Sequence, residues 1–107
     1  GNVILGVVDL AATAARLRAV GLDVQEGGTH PQFGTRNMVV PLGRSYLELL
    51  AVEDRAVAEQ ALFGQTLLAL TADGDREVRR SQLHHGARDV LRQEPPGRQH
   101  PPHHRAL

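Results

Sequence analysis

The spacing of apolar residues changes period several times along the chain. Val3-Ile4-Leu5-Gly6-Val7-Val8 is an unbroken, β-branched run of strand length, the pattern of a strand covered on both faces. Asp9 then stands where an N-cap belongs. Behind it, from Leu10 to Val20, Leu10, Ala14 and Leu17 recur at helical spacing, and Gly21 closes the helix as a C′ residue. Leu22-Asp23-Val24-Gln25-Glu26 alternates as a half-exposed strand, and Gly27-Gly28-Thr29-His30-Pro31 predicts a turn-rich loop. Arg36 to Leu42 and Arg44 to Val52 predict two further strands joined by a hairpin-like turn at Pro41-Leu42-Gly43. The predicted order is βαβββ, an α+β fold.

From Glu53 to about Ala72 the pattern is helical, with Val57, Ala61 and Leu68 on one stripe and Phe63, Leu67 and Leu70 on its neighbour. Asp73-Gly74-Asp75 breaks it. Periodicity fades beyond Arg76. A frayed helix is expected over Ser81 to Gln93, and the Pro-rich stretch from Glu94 to Leu107 reads as disordered. The expected organisation is a module with its following helix over residues 1–75, then an Arg-, His- and Pro-rich, poorly ordered tail over 76–107.

Composition narrows the chemistry. The 107 residues are 41% hydrophobic but only 3% aromatic, so aliphatic packing must supply the core. Cysteine is absent, which excludes disulfides, thiolate metal sites and cysteine nucleophiles. The zero net charge conceals two unlike parts: residues 1–75 hold five Arg against nine acids, and residues 76–107 hold seven Arg against three. No run reaches the roughly 18 apolar residues of a membrane span, and Gly1-Asn2-Val3 carries no basic n-region. A soluble, cytoplasmic protein without membrane partners is expected.

Glu48 is the ionisable residue in the strongest strand context. Alternation puts Tyr46, Glu48, Leu50 and Val52 on one face and Leu47, Leu49 and Ala51 on the other, so neither face is plainly solvent and the carboxylate lines a partly covered concavity. There it needs a metal ion, an Arg or a ligand hydroxyl, because an unpaired buried charge is costly. The alternative is that Glu48 sits at a sheet end and is simply solvated. His30-Pro31-Gln32-Phe33-Gly34-Thr35-Arg36-Asn37 gathers an imidazole, an aromatic ring, a guanidinium and an amide in a loop entering a strand, a mixture suited to gripping a small polar ligand. The alternative is a purely structural loop, with Phe33 plugging the core and Arg36 paired to Glu26 or Asp23. The tail's His84-His85 and His103-His104 read as a solvated, adventitiously metal-binding tract, and no ordered pattern points to nucleic acid.

The first-strand run with its Ala-rich helix, the His-Pro-Gln-Phe-Gly-Thr-Arg-Asn string, and Tyr46-Leu47-Glu48-Leu49-Leu50-Ala51-Val52 together resemble the glyoxalase-like domain family of the vicinal oxygen chelate superfamily. The resemblance covers residues 1 to about 75. It implies a βαβββ module whose curved four-stranded mixed sheet wraps a cleft, paired with a second module in the chain or with a second copy as a homodimer. It also implies a divalent metal held by a first-strand and a fourth-strand residue. Glu48 matches the fourth-strand position as metal ligand or catalytic base, and Asn2 falls at the first-strand position, where the pattern usually has His. His30, Phe33, Arg36 and Asn37 fall at the substrate rim. The implied activities are metal-dependent isomerase, lyase or dioxygenase chemistry on a small oxygenated substrate. The alternatives are metal-free sequestration of a small molecule, or an inactive half-module in which the basic tail replaces the second module.

Overall fold

The structure is a computed structural model that describes residues 2–85. Its elements run β1 (Val3–Gly6), α1 (Leu10–Ala19), β2 (Gln25–His30), β3 (Thr35–Leu42), β4 (Ser45–Val52), α2 (Arg55–Ala58), α3 (Leu62–Leu70), β5 (Arg76–Val78) and α4 (Arg80–His85). The α+β class and the βαβββ order are as the sequence predicts. The sheet is open and mixed, in the order β2-β3-β4-β1-β5; β1 runs parallel to β4 and antiparallel to β5, and the other neighbours are antiparallel.

Three local differences have physical causes. The sheet has five strands rather than four, because residues 76–78 return along β1 and pair Ile4 with Val78. Gly74, at φ +123°, makes the turn, and the Asp75 carboxylate fixes it by accepting the Val8 N–H at 2.8 Å. The second strand starts later than Leu22 and runs through Gly27-Gly28, which forms an irregularity in the β2–β3 ladder between Glu26 and Thr29 instead of a loop. Asn37 Oδ1 accepts the Gly28 N–H there at 2.6 Å. The helix expected over 53–72 is two helices. Asp54 caps α2 through the Val57 N–H, and α3 restarts at Leu62 because Gly64 lies against Ala58, where a Cβ would come within 2.5 Å of the Ala58 Cα. Such a close crossing accepts only a glycine. The predicted 81–93 helix is met in part by α4; its remainder, and the tail to Leu107, lie outside the described residues.

Two aliphatic cores sit on opposite faces of the sheet. Leu10, Ala14 and Leu17 of α1 pack on Val7, Val24, Met38, Val40, Leu49 and Ala51. On the other face, Leu67 and Leu70 of α3 and Leu83 of α4 pack on Ile4, Leu50 and Val78. Leu49 and Leu50, neighbours in sequence, are both fully buried, one in each core. An isolated βαβββ sheet would leave the second face bare; here α3 and α4 cover much of it.

Candidate functional site

The face under α3 and α4 carries the chemistry. Register aligns Ile4, Glu48 and Val39 in one row across β1, β4 and β3, with Asn37 and Leu50 in the next row, so all five side chains share that face. Glu48 is 15% exposed. Its Oε2 accepts a hydrogen bond from Asn37 Nδ2 at 3.0 Å, and its Oε1 lies 3.8 Å from Arg80 Nη2. The carboxylate the sequence places in a concavity is therefore there, held by an amide and facing a guanidinium.

A hollow of about 160 Å³ opens at this point, lined by Glu48, His30, Arg80 and His84 among Ile4, Phe33, Leu50, Phe63 and Leu83. The loop before β3 shapes one wall. The His30 carbonyl accepts the N–H groups of Phe33 and Gly34, both at 2.9 Å, and His30 Nδ1 is 3.3 Å from Thr35 Oγ1. Phe33 stacks on Phe63 with ring centroids 4.8 Å apart, joining the loop to the start of α3. Gly34, at φ +70°, passes so close to Asp54 and Ala58 that any Cβ would strike their backbones, while its carbonyl accepts the Glu53 and Asp54 N–H groups. Arg80 and His84, one helical turn apart on α4, form the opposite wall.

Of the residues predicted for the site, Glu48, His30 and Phe33 line the hollow, and Asn37 touches it through Glu48. Arg36 and Asn2 are placed elsewhere. Arg36 pairs in register with Ala51, on the α1 face, and donates to Glu26 Oε1 at 2.7 Å, with Glu53 at 3.8 Å. The hydrogen bond to Glu26, followed by the charge of that carboxylate, raises its pKa above the ordinary arginine value. The structural alternative for Arg36, pairing with Glu26, is the one observed. Asn2 precedes β1, and its Oδ1 accepts the Tyr46 N–H at 3.3 Å, extending the β1–β4 ladder. Arg80 and Leu83 are site residues the sequence did not point to, and His84, read there as part of an adventitiously metal-binding tract, lines the hollow.

A family model for the glyoxalase-like domain matches residues 3–98. The chain belongs to the glyoxalase-like domain family. The match runs past residue 75, so β5 and α4, which supply Arg80 and His84, fall inside the glyoxalase-like domain. No curated protein and no solved structure gives a significant match.

A divalent ion of the kind the family resemblance implies needs several anionic or imidazole donors converging on one point. Among the described residues no group of three or more His, Asp or Glu converges in this way. The β1 residue beside Glu48 is Ile4, the Asn2 oxygen is taken by Tyr46, and both Glu48 oxygens face nitrogen donors. Among the described residues, then, Glu48 shares its hollow with His30 and His84 without a converging set of three metal donors.

Proposed function

We propose that this glyoxalase-like domain binds a small hydroxylated organic acid in the Glu48 hollow without a resident metal. The observation that carries the reading is the Glu48 carboxylate and the Arg80 guanidinium side by side, 3.8 Å apart, at a cavity whose other walls are His30, His84 and the apolar Ile4, Leu50, Phe33, Phe63 and Leu83. Their 3.8 Å separation is too long for a hydrogen bond, and Arg80 is 60% exposed, so the pair is weak and open to a ligand. A ligand carboxylate takes the Arg80 fork, its hydroxyl donates to Glu48, and a short aliphatic chain meets the apolar wall. Size limits the class. The cavity of about 160 Å³ is close to the ~150 Å³ known to hold one benzene-sized molecule, and below the ~300 Å³ at which drug-sized sites begin. That argues for a metabolite of few heavy atoms over sequestration of a large antibiotic.

The test is titration of the full chain with 2-hydroxybutyrate, butyrate and 1,2-butanediol, followed by amide NMR shifts. Saturable binding of 2-hydroxybutyrate that is lost in Glu48→Gln and in Arg80→Gln supports the proposal. Equal binding of butyrate, which lacks the hydroxyl, or of the diol, which lacks the carboxylate, contradicts it. The same samples in D2O separate enzyme from binding module: exchange of the ligand's C2 proton, lost in Glu48→Gln, marks Glu48 as a base.

A further inference from the structure

A second recess lies at the far end of α3. It has a volume of about 460 Å³ and is lined by Val7 and Val8 just past β1, Val52 and Glu53 at the end of β4, Arg55 of α2, and Leu68, Thr71 and Ala72 around the end of α3. None of these residues lines the Glu48 hollow, which α3 meets through Phe63 in its first turn. Its volume falls in the range of about 300 to 1,000 Å³ that accommodates small molecules.

Topology accounts for the recess. Among the described strands β1 and β4 are the parallel pair, and their carboxyl ends lie side by side, with the Val7 N–H donating to the Leu50 carbonyl at 2.9 Å. From these ends the chain departs to opposite faces. After β1 it enters α1, which packs in the Leu49 core, and after β4 it passes through α2 into α3, which packs in the Leu50 core. Diverging connections leave a crevice outside the strand ends, the place where open sheets bind ligands. The walls are fixed, by the Asp75 bond to Val8 on one side and by the Gly34 carbonyl bonds to Glu53 and Asp54 on the other.

The lining specifies the ligand. Val8, 63% exposed, lines the recess with Val52, Leu68 and Ala72 and gives it an apolar side. Glu53 and Arg55 bring opposite charges to the same recess, two residues apart. Their observed partners are Arg36, half-buried and 3.8 Å from Glu53, and the exposed Glu59, which accepts the Arg55 Nε–H at 3.3 Å within one helical turn. We infer that this crevice binds a small aliphatic zwitterion, an α-amino acid with a branched apolar side chain, its ammonium at Glu53, its carboxylate at Arg55 and its side chain on Val8 and Leu68. The inference is independent of the Glu48 reading.

Amide NMR of the full chain titrated with L-leucine tests it. Saturable shifts centred on Val8, Val52, Leu68 and Ala72 are expected, with a Kd of order 1 mM. Glu53→Gln and Arg55→Gln, both at exposed positions, should each weaken binding about fivefold while leaving the remaining spectrum unchanged. The carboxylate-only 4-methylpentanoate and the amine-only 3-methylbutylamine should each bind more weakly than leucine. Equal binding of either analogue, shifts centred on Glu48 and His84, or no saturation would overturn the inference.

Discussion

The two faces of the sheet are made from the same strands and behave differently. On the α1 face, Leu47, Leu49, Ala51, Met38 and Val40 meet Leu10, Ala14 and Leu17 in an aliphatic layer, and the polar residue on that face of β3, Arg36, lies outside it, paired with Glu26. On the opposite face the layer stops short. Leu50 and Ile4 are covered by α3 and α4, but the row of Ile4 also holds Glu48, with Asn37 and Arg80 around it. One face closes into a core, and the other closes around a charged hollow. Arg36 and Asn37 are adjacent in sequence and serve opposite faces, so a contiguous polar string entering a strand cannot act as one binding unit.

Core substitutions should show first that both faces are load carriers for the fold. Leu49→Ala and Leu50→Ala each remove a fully buried side chain, and each should cost about 2 to 5 kcal/mol in urea denaturation. If only one did, the sheet would have a single core, and the comparison of faces would fail. Next in size is Gly34→Ala. It places a Cβ in a left-handed conformation against the Asp54 and Ala58 backbones, and should cost about 2 to 3 kcal/mol while displacing Phe33 from Phe63. Near-UV circular dichroism and ring NMR shifts of Phe63 read the second effect.

Asn37→Ala should cost less, about 1 to 2 kcal/mol, because it removes the donor to Glu48 and the acceptor for the Gly28 N–H. It should also weaken 2-hydroxybutyrate binding. Arg36→Ala should be the smallest change, within the scatter of a urea midpoint, and should leave that binding as in the unaltered chain. Because Glu26 raises the Arg36 pKa, the guanidinium side of this pair supports the fold below the ordinary arginine range and is lost only above it. No pH dependence near neutrality should come from Arg36. A loss of ligand binding in Arg36→Ala equal to that in Asn37→Ala would erase the distinction between faces.

Period-2 alternation made the face of Glu48 legible from residues 46–52, and helical spacing made α1 legible from Leu10, Ala14 and Leu17. What the sequence concealed was long-range. Nothing local in Glu53 to Ala72 marks a helix break, because the break comes from Gly64 meeting Ala58 across the α2–α3 crossing. The three residues of β5 are too few to show a period, and they are a strand because Ile4 and Leu5 offer them an edge. Gly27-Gly28 looks like a loop until β3 pairs beyond it at Thr29 and His30. Arg80 and His84 carry no periodic signal, and only the return of the chain along β1 brings them to Glu48.

The central claim is that Glu48 is balanced by Asn37 and Arg80, not by a metal ion. Elemental analysis of the purified full chain and of Glu48→Gln, after dialysis against zinc and then against metal-free buffer, tests it most directly. The account predicts the same metal content in both proteins, any retained zinc being held by histidines away from Glu48. One equivalent retained by the unaltered chain and lost in Glu48→Gln would contradict it.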